Sequence, residues 1–292
     1  MPTIHHHISE LRLALRPYRT AQRIALVPTM GNLHDGHLEL VKIAKQHADI
    51  VVVSIFVNPT QFGVGEDFDS YPRTLDEDVA KLATVGADYV FAPTIDEMYP
   101  ILPPPTSVLT GAITEQLCGK TRPTHFDGVG IVVSKLFNII QPDVAVFGQK
   151  DYQQLAIIKQ LVRDLGYSIE IIGAPIIRAA DGLALSSRNQ YLSDSERQIA
   201  PILQQELQYL AQQISDNRQP LEVLLTVARE RITNAGFIID YLEVKTTELT
   251  AVDYKDLSIS AKNSQDLVIL VAAWLGRARL LDNKLVTVNK SL

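Results

Sequence analysis

The first half of the chain alternates short apolar runs with segments whose apolar residues recur every three or four positions. The apolar runs are rich in Val and Ile and predict buried parallel strands at Ile24–Pro28, Asp49–Phe56, Asp88–Ala92, Val144–Phe147 and Ser168–Ile172. The periodic segments predict helices at Gly36–His47, Leu75–Val85, Gly128–Ile140 and Tyr152–Leu165. Strand–helix alternation builds right-handed βαβ units, so the pattern predicts an α/β fold with a doubly wound parallel sheet.

The pattern changes around Pro175–Arg188. Two long amphipathic helices are predicted at Ser193–Ile214 and Pro220–Ala235, followed by strands at Asp240–Lys245, Gln265–Trp274 and Ala278–Leu281. We therefore predict two domains: a Rossmann-like domain over residues 1–176, and a smaller α+β domain over residues 177–292.

Composition and charge narrow the classes of function. Of the 292 residues, 46% are hydrophobic and 21% charged, as in ordinary globular enzymes, and the net charge of −6 disfavours a nucleic-acid surface. No secretory signal and no apolar run of about 20 residues is apparent, so we expect a cytoplasmic protein without a membrane partner. The lone Cys118 makes a cysteine-based metal site implausible. The run His5–His7 is interpreted as a solvated N-terminal segment rather than a metal site.

The first group of candidate residues follows the strand at Ile24–Pro28 and leads into a helix, in the sequence PTMGNLHDGH. Gly31 and Gly36 permit close backbone approach, and free N–H groups at a helix start attract anions. His34 and His37 are three residues apart, so they share one face of the first turn. We interpret them as groups that stabilise charge on a departing pyrophosphate. Surface or capping histidines are the alternative.

Three further groups follow other predicted strands or the domain junction. Asn58 and Gln61 in FVNPTQF suit a substrate with hydroxyls and a carboxylate, although such a loop is commonly just a turn. In FGQKDYQQ, Lys150 offers a cation for phosphate, Asp151 a helix cap or a ligand for ribose or a cation, and Gln153 or Gln154 a substrate contact. A plain capped helix with an unrelated lysine is equally compatible.

The segment DGLALSSRN lies at the predicted domain junction. Its Ser186, Ser187 and Arg188 can together bind phosphate oxygens on a loop that closes over a nucleotide, or form a solvated turn. Arg122 and His125, and the stretch Asp67–Arg73, are charged loops to which the spacing assigns no catalytic role.

The sequence offers many phosphate-binding groups, and no residue pattern in it marks a covalent nucleophile. Neither G-x-S-x-G nor the P-loop signature G-x-x-x-x-G-K-[ST] occurs. This combination favours direct attack of one substrate on a bound nucleotide, promoted by positioning and charge stabilisation.

Several motifs in the same order resemble the pantoate–β-alanine ligase (pantothenate synthetase) family over nearly the whole chain. They are PTMGNLHDGH, SIFVNPTQF, YPRTLDED, GQKDYQQL, LALSSRN and VAAWLGRARLLDN. The H-x-G-H element is also similar to that of nucleotidyltransferases and class I aminoacyl-tRNA synthetases. The resemblance implies that D-pantoate attacks the α-phosphate of ATP, giving an enzyme-bound pantoyl adenylate, whose acyl group then passes to β-alanine. Pantothenate, AMP and pyrophosphate are the implied products, and a nucleotidyltransferase acting on a phosphate or alcohol is the alternative.

The resemblance also implies roles for individual residues. The implied catalytic set is His34, His37, Lys150, Ser186, Ser187 and Arg188, with His37 as proton donor. The implied ATP contacts also include Met30, Gly31, Asn32, Leu33, Asp35, Gly36, Gly148, Gln149, Asp151, Ile177 and Leu185. Gln61 and Gln154 are expected to hold pantoate, with Gln61 also bordering β-alanine. The 177–292 domain is expected to close over ATP, with Mg²⁺ arriving on the nucleotide and the protein forming a homodimer.

Four residues depart from the family's usual motifs. Gln149 replaces the Glu of GEKD, Thr124 the Gly of R-P-G-H-F, Asp127 a commonly basic residue, and Thr60 an often hydrophobic one. None of them removes a group that the chemistry needs. A non-catalytic nucleotide-binding module is the third hypothesis.

Overall fold

The computed structural model describes residues 1–63, 65–66, 68–216, 219–252 and 266–287. Two compact units are present: one comprises Met1–Gln149 and Gln153–Pro175, the other Lys150–Tyr152 and Ile176–Leu292. Asp67 of the charged loop and Gln265 of a predicted strand lie outside the described residues.

The first unit is built on a six-stranded, fully parallel sheet in the order β1-β4-β3-β2-β5-β6. The strands are β1 (Thr3–His5), β2 (Ile24–Thr29), β3 (Ile50–Ile55), β4 (Tyr89–Phe91), β5 (Val144–Gly148) and β6 (Glu170–Ala174). The helices are α1 (Ile8–Leu15), α2 (Asp35–His47), α3 (Leu75–Thr84), α4 (Ile95–Met98), α5 (Leu117–Thr121), α6 (His125–Ile140) and α7 (Tyr152–Asp164), of which the first residue, Tyr152, belongs to the second unit.

The central strands carry the core of this unit. Val27, Val51, Val53 and Val146 are completely buried, because helices cover both faces of a parallel sheet and β-branched side chains pack well there. The continuous apolar runs in the sequence therefore match the strands, with ends that differ by one or two residues.

The sheet has a switch point between β2 and β5. From β2 the chain adds β3 and β4 on one side, whereas β5 and β6 extend the sheet on the other. Ligands of doubly wound folds bind beyond the carboxyl ends of strands at such a point. The segments that follow β2 and β5 begin with Met30 and Gln149, and both carry candidate residues.

In the residues that the structure describes, the second unit contains an antiparallel sheet and three α-helices. Its strands, in the order β7-β8-β9, are β7 (Ile238–Thr246), β8 (Asp266–Leu275) and β9 (Ala278–Thr287). Its helices are α8 (Asp194–Ile199), α9 (Ile202–Asp216) and α10 (Leu221–Asn234), whose apolar faces pack in one core with the strands. The predicted fold class, a parallel α/β sheet with a smaller α+β unit, is confirmed.

One local prediction was only partly right and another was wrong. In the predicted solvated segment His5–His7, His6 and His7 are exposed, but Thr3–His5 pairs with β4 and the His5 ring stacks on Tyr89 with centroids 5.8 Å apart. The helix predicted at Ser193–Ile214 is two helices, because Pro201 lacks an N–H and its ring clashes with the preceding turn. Across the described ranges, no helix has the length and apolar character needed to span a membrane.

Candidate active site

The loop after β2 is shaped by a buried carboxylate. Gly31 and Asn32 both have positive φ values, 83° and 51°, which turn the chain sharply before α2. A Cβ on Gly31 would lie 3.1 Å from Asp78 Oδ2, so the position needs glycine for its conformation and its space. Asp78 accepts hydrogen bonds from the N–H groups of Asn32 (2.9 Å) and Leu33 (2.7 Å) and is fully buried. The loop is therefore held in one shape.

Sequence reasoning missed Asp78, although a signal was present. Leu75, Val79 and Leu82 mark the inward face of α3, and Asp78 falls on that same face. An acid at a core position of an amphipathic helix indicates a buried hydrogen-bonding role, since an unpartnered buried charge is very costly.

His34 and His37 form the N-terminal cap of α2. His34 Nδ1 accepts from the Gly36 N–H at 3.1 Å, and His37 Nδ1 accepts from the His34 N–H at 3.3 Å. The His37 N–H donates to the His34 carbonyl at 2.8 Å. The expectation of free helix-start N–H groups is thus wrong for Gly36 and His37, because the two histidines cap their own helix.

This capping fixes which ring nitrogen carries the proton. Because Nδ1 accepts a hydrogen bond in both rings, each neutral imidazole bears its proton on Nε2. The ring centroids are 4.1 Å apart, so the two Nε2–H groups belong to one compact pair. The imidazoles, rather than the helix-start amides of Gly36 and His37, are the groups with which this turn can donate to an anion.

The loop after β3 brings the amide side chains into the same unit. Asn58 is buried; its Nδ2 donates to the Gly128 carbonyl at 3.0 Å and to Gln61 Oε1 at 3.1 Å. Its Oδ1 accepts from the Tyr99 hydroxyl at 3.0 Å, and burial raises the pKa of that hydroxyl, which keeps it a donor. Gln61 Nε2 contacts Met30 Sδ at 3.2 Å, so the loops after β2 and β3 meet at these two candidates. Asn58 is thus structural, and Gln61 stands at the junction.

A close helix–loop approach sets the position of Gln61. A Cβ on Gly128 of α6 would overlap the Thr60 carbonyl oxygen, and backbone atoms cannot accept such an overlap.

We expect Gly128→Ala to destabilise the protein by about 1–3 kcal/mol, because the added methyl group forces α6 and the loop apart. If Gln61 holds a substrate, as the resemblance implies, the KM for that substrate should also rise, since Gln61 moves with the loop. Thermal unfolding and steady-state kinetics check both effects. Gly63→Ala is the matched control, because a Cβ there meets nothing closer than 3.7 Å.

Arg122 and His125, to which the sequence assigned no role, support the same loop. The Arg122 guanidinium donates to both carboxylate oxygens of Glu66, at 2.7 and 2.6 Å, and this bond holds the pKa of Glu66 below its usual value. Arg122 Nη1 lies 3.0 Å from His125 Nε2, and His125 Nδ1 donates to the Gln61 carbonyl at 2.8 Å. The hydrogen-bonded chain Glu66–Arg122–His125 therefore fixes the main chain of Gln61.

Thr124, one of the departures from the family motif, has a strained backbone. Its φ of 67° is left-handed, a region that disfavours β-branched residues.

We expect Thr124→Gly to stabilise the protein by about 1 kcal/mol, the cost of a left-handed L residue less part of glycine's entropy. Thermal unfolding is the measurement. Thr124→Ala should gain less, because its Cβ still meets the backbone in this conformation; equal gains from both would show that φ is not the cause.

Beyond β5, the structure separates the two glutamines between which the sequence could not decide. Gln153 is buried and donates to the carbonyls of Ile113 and Gln116, both at 2.8 Å, so it is structural. Gln154 is half-buried, which leaves it as the candidate for a substrate contact. Gly148 ends the strand, and Gln149 begins the turn that follows it.

Within the second unit, Lys150 Nζ pairs with Asp151 Oδ2 at 3.3 Å. Ile177 and Leu185 face each other across a short hairpin, where the Leu185 N–H donates to the Ile177 carbonyl at 2.9 Å. Ser186 caps the 3-10 turn Ser187–Tyr191 by accepting from the Arg188 N–H at 3.3 Å. Three residues expected to contact ATP therefore lie next to one another where this 3-10 turn begins: Ser186, Ser187 and Arg188.

Comparisons with known proteins show similarity along nearly the whole chain. The family model described as pantoate-beta-alanine ligase matches residues 3–285. The chain is 89% identical to the pantothenate synthetase of Psychrobacter cryohalolentis, over 99% of this chain and all of that one. It is 85% identical to that of Psychrobacter arcticus over the full length of both.

Solved structures show the same likeness. The pantoate-beta-alanine ligase (pantothenate synthetase) of Thermus thermophilus is 41% identical, with a TM-score of 0.87 over 97% of this chain and 98% of that one. That of Francisella tularensis, complexed with beta-gamma ATP and β-alanine, is 34% identical, with a TM-score of 0.81 over 98% of both chains. With its fold, its strand-end motifs and these full-length matches, the chain belongs to the pantoate–β-alanine ligase family.

Proposed function

We propose that this chain joins D-pantoate to β-alanine at the expense of ATP, through an enzyme-bound pantoyl adenylate, giving pantothenate, AMP and pyrophosphate. The observation that carries the proposal is the pair of imidazoles that cap α2, each with its proton on Nε2, in the segment after β2 whose Met30 contacts Gln61. Membership of the family supplies the substrates. A homologue complexed with β-alanine and an ATP compound supports the assignment.

In the first step, a carboxylate oxygen of pantoate attacks the α-phosphate of ATP. A new P–O bond forms to the carboxylate as the bond to the bridging oxygen breaks, and pyrophosphate departs with the electron pair. Negative charge grows on the departing group, so donors aimed at it accelerate the step. His34 and His37 supply two neutral Nε2–H donors, which fits charge stabilisation without full proton transfer. Lys150, Ser186, Ser187 and Arg188 add charge and hydroxyl donors for the remaining phosphate oxygens.

In the second step, the amine of β-alanine attacks the acyl carbon of the adenylate. The C–N bond forms, the C–O bond to AMP breaks, and the ammonium loses its proton. Gln61 and Gln154 hold pantoate through amide groups that can both donate and accept. The hydrogen-bonded chain Glu66–Arg122–His125 keeps Gln61 in place while the acyl group reacts.

ATP is the co-substrate in this scheme. Its contacts fall on Met30–His37, Gly148–Asp151, Ile177 and Leu185–Arg188, with the hairpin residue Ile177 contributing its backbone. Mg²⁺ arrives with the nucleotide, bound mainly by phosphate and water oxygens, as such a hard cation prefers. In the described part of the chain, no cluster of three or more His, Cys, Asp or Glu residues forms a metal site. Asp151 is the carboxylate beside Lys150 that could add one protein ligand.

The other sequence predictions belong to the same proposal. They are a homodimer, a cytoplasmic location, the absence of nucleic-acid and membrane partners, and a domain of residues 177–292 that closes over ATP. The net charge of −6 disfavours a nucleic-acid surface, and the resemblance to the family implies the homodimer and the closing domain.

An end-point assay by mass spectrometry tests the reaction. The purified chain is incubated with ATP, Mg²⁺ and D-pantoate, with and without β-alanine. Pantothenate and AMP should appear only in the complete mixture. Pyrophosphate without pantothenate in that mixture would favour the nucleotidyltransferase alternative, and no ATP consumption would favour a non-catalytic binding module.

A further inference from the structure

A hairpin in the second unit carries two of the segments expected to contact ATP. Its limbs pair through Ala179 N–H to Leu183 O (2.8 Å) and Leu185 N–H to Ile177 O (2.9 Å), with a bridge between Arg178 and Ala184. Ile177 therefore lies on one limb, and Leu185 leads the other limb into the Ser186–Arg188 turn. Whatever holds this hairpin also sets the position of that turn.

The hairpin is anchored to β9 by an ion pair. Arg178 Nη1 donates to Asp282 Oδ2 at 2.6 Å and Nη2 to Oδ1 at 2.8 Å, a two-point geometry that fixes direction as well as distance. The same Nη1 donates to the Gly182 carbonyl at 3.0 Å, which ties the hairpin tip to the pair. Asp282 is only 5% exposed, so water screens this interaction weakly.

The next residue of β9 holds the Lys150 segment. Asn283 Nδ2 donates to the Lys150 carbonyl at 3.0 Å, and Asn283 is also 5% exposed. Successive side chains of a strand point to opposite faces, so Asp282 and Asn283 serve two different segments from adjacent positions. The Asp282 carboxylate also accepts from the Asn283 N–H at 2.7 Å, which couples the two.

A second contact fixes the other end of the lysine segment. The Tyr152 hydroxyl donates to the Thr247 carbonyl at 3.2 Å, and burial raises its pKa to about 12, so it stays a donor across the working pH range. The segment around Lys150 is therefore held at two points, through its main chain and through the Tyr152 hydroxyl, and the lysine ammonium takes part in neither contact.

We propose that Asp282 and Asn283 are positioning residues for adenylate formation. Asp282 acts through Arg178 on the hairpin of Ile177 and Leu185, and Asn283 acts on the main chain of Lys150. One pair of neighbouring residues on β9 thereby sets the spacing of the cations and hydroxyls that meet the ATP phosphates. This inference rests on the proposed function, because the ATP roles of Lys150 and Leu185–Arg188 belong to it.

The test compares the two half-reactions in Asn283→Ala and Asp282→Asn. The first is followed as pantoate-dependent pyrophosphate release with varied ATP, and the second as consumption of chemically prepared pantoyl adenylate by β-alanine. We expect adenylation, measured as kcat/KM for ATP, to fall about ten- to a hundred-fold, as for misplaced reacting groups. The second half-reaction and the KM for β-alanine should stay within about two-fold, since their groups lie elsewhere.

Asp240→Asn is the matched control. Asp240 of β7 pairs with Arg279 of β9, the strand that also carries Asp282. The side chains of Asp240 and Arg279 are both largely buried, but their ion pair joins β9 to β7 rather than to an ATP-binding segment. The control should change the unfolding temperature without a selective loss of adenylation.

Three other results would overturn the inference. The first is an unchanged rate of adenylation in both Asn283→Ala and Asp282→Asn. The second is an equal loss of rate in both half-reactions that is proportional to the fall in unfolding temperature. In the third, the wild type itself releases no pyrophosphate with pantoate, a result that removes the proposed function and not the positioning alone. If Asp282→Asn fails to fold because it leaves Arg178 without its charge partner, the neutral change Asn283→Ala decides.

Discussion

Lys150→Ala should reduce pantoate-dependent pyrophosphate release by at least about a thousand-fold, at the upper end of what one transition-state donor contributes. The ammonium has three donors, so it can keep its contact with Asp151 and still meet a phosphate oxygen. Because charge on the phosphates increases as pyrophosphate departs, the loss should fall mainly on kcat and less on the KM for ATP. Rapid-quench measurement of adenylate formation gives both quantities.

Two controls sharpen this test. Lys159→Ala removes an exposed lysine from α7, the helix that begins just after Lys150, and should leave adenylation unchanged. Lys150→Arg keeps the charge but changes its shape, so partial activity is expected. Adenylation by Lys150→Ala at near the wild-type rate would exclude the role assigned to this lysine.

His37→Ala should slow adenylation by about 10²–10³-fold, because it deletes an Nε2–H donor aimed at developing charge. It should also destabilise α2 by about 1 kcal/mol, since His37 Nδ1 is half of the cap. The variant His37→Gln distinguishes the loss of activity from the loss of stability. Its amide N–H can approximate the Nε2–H donor but cannot reproduce the cap made by Nδ1. That variant should recover more activity than stability.

The comparison for His37 is His47→Ala, at the exposed far end of the same helix. It should change neither quantity measurably. If His37→Gln were as inactive as His37→Ala although folded, a donor at Nε2 would not explain the effect, and proton transfer by His37 would become the better account.

The sheet and the strand-end loops were predictable because each depends on local pattern. Buried strands such as β3 appear in the sequence as near-continuous runs of Val and Ile, and the position of the residues after them follows from parallel topology. The three-residue edge strand β1 carries too little pattern to be recognised, and its register depends on β4, more than 80 positions away in sequence. The break before α9 was readable from Pro201.

The support of the candidate site was harder to read, because its partners are far apart in sequence. Asp78 had a local signal, an acid on an apolar helix face. Arg178 and Asp282 are separated by 104 positions, and nothing near either residue indicates the other. The capping by His34 and His37 was open as an alternative to catalysis, and the structure shows that capping and a donor role are compatible because they use different ring nitrogens.

Transfer of oxygen from pantoate to AMP tests the central claim most directly. Pantoate labelled with ¹⁸O in its carboxylate is converted in the presence of ATP, Mg²⁺ and β-alanine, and the masses of AMP and pantothenate are measured by mass spectrometry. If the carboxylate attacks the α-phosphate, AMP must carry one labelled oxygen and pantothenate must have lost one. Unlabelled AMP with pantothenate formed, or label in inorganic phosphate, would contradict the adenylate.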